Sequence, residues 1–377
     1  MSVYLYAIVA GACQIDFGEC GLPDDGQAHV TTVPGRGVSA VVSKYRGPAV
    51  ADLSRASLLR FLAVHQRVGE RAMAKRPMLP VKFGTVLATR AEVAAVMEGW
   101  QPRLSAALRE LGDAVEVEVV ATWDLQQTFT EISRQPEIVD LAAKAAGRPA
   151  EESLTTRIQV GRLVKESLDR RREDYRDRIV RELAPWARDV QANSIPADQM
   201  VANVALLVER TGLDCLYRQV HRLDEACDGR LTFRCVGPLP PHSFATVEIT
   251  RPCVEQIVAA RGVLCLGERT CEREVTTAYR RLASRCHPDL NPDDPSAAAR
   301  FAALAAAHDQ LLTYLRGQPV QADPSSAISI VGTVEEERTH DLSRAAVEKS
   351  LLLSIKRSGS GAIQTTERER GRDAAVA

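Results

Sequence analysis

Late in the chain His287, Pro288 and Asp289 stand in a polar loop between two helical patterns. The chain pairs no nucleophile with a base and has no phosphate-cradling loop of the GxxxxGK[ST] or GxGxxG kind, so no enzyme is expected. The tripeptide reads instead as a display: Pro288 keeps His287 extended, ends the preceding helix and fixes how Asp289 is presented. The nine cysteines are odd in number, irregularly spaced and free of CxxC pairs. Cys253, Cys265, Cys271 and Cys286 with His287 form the best candidate metal set, yet they lack the short paired spacings of zinc sites. They read as small hydrophobes in a reducing compartment, and neither a metal nor a cofactor is expected.

The elements that must hold the tripeptide are two amphipathic helices. Over Glu272 to Arg285, Val275, Ala278, Tyr279 and Leu282 share a face, while Arg273, Arg280, Arg281 and Arg285 lie around the other side. Over Pro295 to Leu315, Phe301, Leu304, Ala307, His308 and Leu311 form a stripe. Two such helices joined by a polar loop pack as an antiparallel hairpin.

Upstream, the 377 residues carry a net charge of −1 and are 45% hydrophobic, enough for two or three cores. Balanced charge gives no case for nucleic acid or an anionic membrane. No apolar run approaches the ~20 residues of a membrane span, so the cytoplasm is expected. Val3 to Val9 and Gly37 to Ser43 read as strands around a Gly/Asp-rich loop. Ser54 caps a helix that Pro77 stops, a strand follows over Pro80 to Val86, and a helix runs from Arg90 to Leu111. From Val115 the pattern alternates, with Val115, Val117 and Val119 facing one way and Glu116 and Glu118 the other, a half-buried strand. A long helix follows, with Leu168, Tyr175, Ile179, Leu183 and Trp186 on one stripe and a solvated RRRED face opposite. Strands at Val190 to Asn193 and Met200 to Glu209, a helix from Leu213 to Ala226 and a strand from Leu231 to Val236 complete β-α-β-β-α-β, a ferredoxin-like order. The three prolines of GPLPPHSF, Gly237 to Phe244, make a stiff extended exit. The fold class is therefore α+β. Residues 1–112 form an α+β domain, 113–250 a ferredoxin-like domain and 251–317 an all-α hairpin. Residues 318–377 form a mostly disordered tail, with one helix placing Val347, Leu351 and Ile355 on a stripe.

Two resemblances add to this reading. The opening YLYAIV strand, His65, Val68 and Glu70, the block Leu79-Pro80-Val81-Lys82-Phe83-Gly84-Thr85, Asn203, Ala205 and GPLPPHSF occur in the order of the gas vesicle protein F/L family. Their physical reading alone is structural, with His65 a helix histidine satisfied by a neighbour and Gly84 a strand end that another backbone approaches. The resemblance covers roughly residues 1 to 250. It implies an accessory role, binding the hydrophobic shell protein and other gas vesicle proteins during assembly at the vesicle. AYRRLA before the tripeptide and RFAALAAAH after it resemble the J-domain of DnaJ-type co-chaperones. That resemblance implies recruitment of a DnaK-type chaperone through His287, Pro288 and Asp289, with Arg280, Arg281 and Arg285 as the basic docking face. Cys286, Leu290 and His308 depart from the J-domain pattern. A second reading keeps the protein on the vesicle surface as a minor component, its hairpin only a protein-binding arm.

Overall fold

The computed structural model describes residues 1–23, 27–146, 150–291, 294–319 and 338–357. Where the sequence reads as four successive segments, the contacts gather the chain into two compact units. One takes residues 1–110 with 246–356, the other is built on 111–245.

In the first unit β1 (Val3–Ala10), rich in β-branched and aromatic residues, is buried along nearly its whole length. The stretch expected as a Gly/Asp-rich loop instead pairs as β2 (Asp16–Pro23) and β3 (Gln27–Pro34), ahead of β4 (Val38–Lys44). Its glycines sit among register shifts, which broke the alternation that a strand would show in sequence. Helix α1 (Arg55–Lys75) begins at Ser54, whose side chain accepts from the Ser57 N–H as an N-cap should. The single strand expected over Pro80 to Val86 is two short ones, β5 (Met78–Pro80) and β6 (Val86–Leu87). The single helix expected from Arg90 is likewise two, α2 (Arg90–Gly99) and α3 (Gln101–Leu111). Pro102 has no N–H to give to Glu98, so the ladder lacks that bond and the helix is interrupted beside it, at Trp100. The sheet order is β2-β3-β4-β1-β5, with β6 also on β1.

Buried hydroxyls tie this sheet together. The Tyr6 hydroxyl accepts from the Leu22 N–H at 2.7 Å and meets Ser43 Oγ at 2.9 Å, pinning β2 to β1 and β4. Burial pushes its pKa up to about 12. His65 on α1 is buried, with Nδ1 3.1 Å from the Tyr4 hydroxyl and Nε2 3.1 Å from the Val81 carbonyl. A carbonyl only accepts, so Nε2 carries the proton and Nδ1 receives the Tyr4 O–H. Tyr4 in turn accepts the N–H of Gly84, whose φ of +85° suits glycine. One polar chain thus fastens α1, β1 and the loop after β5.

The second unit opens with β7 (Ala114–Thr122), then α4 (Leu125–Ser133), α5 (Pro136–Ala145) and α6 (Ala150–Leu183). It continues with β8 (Asp189–Ala192), β9 (Met200–Glu209), α7 (Leu213–Ala226) and β10 (Thr232–Leu239). The sheet order β10-β7-β9-β8 is antiparallel throughout. Val117 and Val119 of β7 and Val204 and Leu206 of β9 pack with Ile179 and Leu183 of α6 and Leu216 and Val220 of α7. Pro238 lies within β10, which is tolerated because β10 is an edge strand and its register shifts there. Trp186 leaves the expected stripe and is 41% exposed, because α6 stops at Leu183 before Pro185. The RRRED face is also less solvated than expected: Arg171 pairs with Glu131 at 2.6 Å and Arg172 lies over the Trp123 ring.

The alternation in β7 does not leave it half-buried. Glu116, expected on a solvent face, is only 2% exposed. Ser243 donates its N–H at 2.9 Å and its hydroxyl at 2.7 Å to the two carboxylate oxygens. Burial outweighs these bonds and holds the Glu116 carboxyl above the usual carboxylate range.

The chain then returns to the first unit as β11 (Ala245–Thr250), α8 (Val254–Val263), β12 (Arg269–Thr270), α9 (Glu272–Cys286) and α10 (Ala297–Gly317). Part of the tail expected to be disordered forms regular structure. Among its described residues are β13 (His340–Asp341), α11 (Arg344–Lys349) and β14 (Leu352–Arg357), with β12 pairing β13 and β11 pairing β14. The expected helical stripe through Ile355 ends at Lys349. Leu352–Arg357 finds a strand partner instead, a tertiary pairing that local periodicity does not encode. The rest of the expected disordered segment lies outside the described residues.

Tyr4→Phe removes the group shared by Gly84 and His65 and is expected to destabilise the first unit by about 1–3 kcal/mol, read as a lower urea midpoint. For Glu116 the folded state binds the proton more tightly than the unfolded one. Its contribution is therefore full below the ordinary glutamate pKa and falls as pH rises through the raised folded value. Urea midpoints at about pH 4 and pH 7 should show the parent losing stability relative to Glu116→Gln across that interval.

Candidate functional site

The tripeptide sits at the turn of the hairpin that α9 and α10 form. Helix α9 starts from a capping box in which the Glu274 side chain accepts the Cys271 N–H at 3.2 Å. It ends at His287, whose φ of −62° and ψ of 129° are the extended values that Pro288 imposes. Pro288–Leu290 then make a single 3-10 turn. Val275 and Ala278 of α9 and Leu304, Ala307 and Leu311 of α10 share a core with Ile257, Ala260 and Leu264 from α8 and its C-terminal end.

Polar contacts hold the loop in one shape. The Leu290 and Asn291 N–H groups donate to the His287 carbonyl at 3.0 and 3.1 Å. Asn291 Nδ2 donates to the carbonyls of Arg285 at 3.0 Å and His287 at 3.1 Å, closing the end of α9. The His287 ring stands edge-on to Phe301 of α10, centroids 5.2 Å apart. His287 Nδ1 accepts the Asp289 N–H at 3.2 Å, while the nearer Asp289 carboxylate oxygen lies 3.7 Å away. The nitrogen is thus occupied by the backbone, and the Asp289 carboxylate, 85% exposed, faces outward. The histidine supports the loop and the aspartate is its offered group.

Arg280, Arg281 and Arg285 are all exposed on α9, and none makes an ion pair among the described residues. The turn thus exposes a carboxylate and α9 exposes three guanidiniums. The departures from the J-domain pattern have separate fates. Cys286 is half-buried against the hairpin core, and His308 stacks on Tyr279 with centroids 4.5 Å apart. Leu290 projects into solvent at 69% exposure. Asn291 and Phe301 escaped the sequence reading as parts of the site, although the Asn two residues beyond the tripeptide was a usable capping signal. Of the weighed metal set, Cys253 and Cys265 are exposed and Cys271 is buried at the start of α9, and among the described residues no three His, Cys, Asp or Glu side chains gather as metal ligands would. Among the described residues no helix is long and apolar enough to cross a membrane.

Comparison with known proteins agrees with both halves of this architecture. The family described as gas vesicle synthesis protein GvpL/GvpF matches residues 2–246, and the DnaJ domain family matches residues 262–314. Gas vesicle protein F of Streptomyces sp. (strain CB03234) is 30% identical over 188 residues, 49% of this chain and 77% of its own. The chaperone protein DnaJ of Acidithiobacillus ferrooxidans (strain ATCC 53993 / BNL-5-31) is 47% identical over 49 residues, 13% of each chain. The crystal structure of GvpF from Anabaena sp. PCC7120 superposes with a TM-score of 0.56 at 23% identity, over 64% of this chain and 97% of that one. The chain belongs to the gas vesicle GvpL/GvpF family and carries a DnaJ domain behind its family fold.

Proposed function

We propose that the chain is a non-enzymatic gas vesicle assembly factor that binds the hydrophobic shell protein and recruits a DnaK-type chaperone to it. The observation that carries this reading is the exposed Asp289 carboxylate on the turn after α9, a helix that exposes Arg280, Arg281 and Arg285, in a chain whose residues 2–246 are of the gas vesicle family. A shell subunit with a large apolar face needs cover in water before it is added to a wall, and a chaperone cycle supplies transient cover. The family body would select the client. Asp289 would signal to the chaperone ATPase, with the arginines docking an acidic surface through charge. The protein would act in the cytoplasm and at the growing vesicle.

Asp289→Asn should abolish stimulation of a DnaK-type ATPase in a single-turnover assay and lower vesicle yield. Because the side chain is exposed, stability should stay within about 0.5 kcal/mol of the parent. Unchanged stimulation and yield would end the recruitment reading. The double substitution R280E/R281E should weaken chaperone binding on the order of tenfold at low salt, and raising the salt should narrow the gap between variant and parent.

A further inference from the structure

The DnaJ domain is gripped at the end opposite its tripeptide. Helix α10 leaves carbonyls without helical partners at its C-terminus, and two of them are satisfied by the segment where α2 gives way to α3. Trp100, itself buried, donates its indole Nε1–H to the Gly317 carbonyl at 3.0 Å, and Arg103 donates to the Arg316 carbonyl at 2.6 Å. Arg251, just before α8, pairs with Glu92 of α2.

The tail closes the same joint from another side. Leu342 and Val347 are fully buried in the core shared by α8, α9 and α10. The Leu342 N–H donates to the Glu268 carbonyl at 2.6 Å, and Arg261 donates to the Leu342 carbonyl at 3.1 Å. Leu352 of β14 packs so near Gly317 that a side chain on Gly317 would lie 3.0 Å from its Cβ. Strand β14 pairs with β11, and the Val247 carbonyl of β11 accepts the Lys82 N–H at 2.9 Å. Glu248 then joins three segments, with Lys82 Nζ at 3.1 Å and Lys356 Nζ at 2.8 Å on one carboxylate oxygen.

We propose that residues 340–357, with Trp100 and Arg103, form an intramolecular clamp that welds the DnaJ domain to the N-terminal sheet. The clamp makes the domain a rigid arm in place of a tethered module. Helix α10 has 21 residues, so the clamp and the tripeptide lie roughly 30 Å apart along it. The tripeptide is thus carried away from the joint in a fixed direction, and a protein docked there is placed at a set distance from the N-terminal sheet. Trp100 and Arg103 are positioning residues. Their role is independent of whether a chaperone is the partner.

Hydrogen–deuterium exchange on the intact chain, read by mass spectrometry, tests the clamp through two variants. A chain ending at Glu337 should exchange about tenfold faster or more in β11 and in the last two turns of α10, with β1 to β4 unchanged. Trp100→Phe keeps an aromatic ring but loses the indole donor, and should speed exchange in the last turn of α10 alone. Equal exchange of β11 and α10 in all three chains would overturn the clamp. Should the shortened chain also lose protection in β1 to β4, Trp100→Phe and Leu353→Ser decide the matter by the same readout.

Discussion

In the proposed clamp the end of α10 is the constraint that places the C-terminal helices, and the Trp100 indole donating to the Gly317 carbonyl is one of the bonds that hold it. Helix α10 is the common wall of the C-terminal helices, with α8 and α9 both packed on it. Whatever fixes the end of α10 fixes the hairpin and the loop at its far end. Satisfying those last carbonyls also meets a requirement that any buried helix terminus must meet, since an orphaned carbonyl away from water is costly. The joint therefore serves stability and geometry through the same atoms.

Much of this was legible in the sequence because it rests on local rules. Ser54 capping α1, the span of α7, the α9–α10 hairpin and the effect of Pro288 on His287 all follow from short-range chemistry. The buried, doubly bonded His65 matches its reading as a satisfied helix histidine. The elements that escaped depend on distant partners. Strands β2 and β3 are built around glycines and register shifts, and β2 is held by the Tyr6 hydroxyl. Strand β14 exists because β11 is there to pair with it. Glu116 looked like an outward carboxylate until Ser243, 127 positions away, was brought onto it. Trp100 read as one more residue of a helix, and only the folded chain shows its indole turned to a carbonyl 217 positions distant.

The same division runs through the candidate site. His287, Pro288, Asp289 and the three arginines could be named from type and spacing; the tripeptide lies on the turn that follows α9, and the arginines are exposed along α9 itself. The roles of the two titratable residues separate only in three dimensions, where the backbone N–H occupies the histidine nitrogen and the aspartate carboxylate stays exposed. Asn291 and Phe301 matter because they hold that turn, one through the Arg285 carbonyl and the other through the His287 ring.

On the proposed reading the body holds a shell-protein client while the arm engages a DnaK-type chaperone, so the two activities belong to one chain and should reinforce each other. The direct measurement is single-turnover ATP hydrolysis by a DnaK-type chaperone with the intact chain, with shell protein, and with both together. The account predicts that the chain and the shell protein together stimulate hydrolysis beyond the sum of their separate effects. Stimulation that is merely additive, or none from the chain at all, would contradict it.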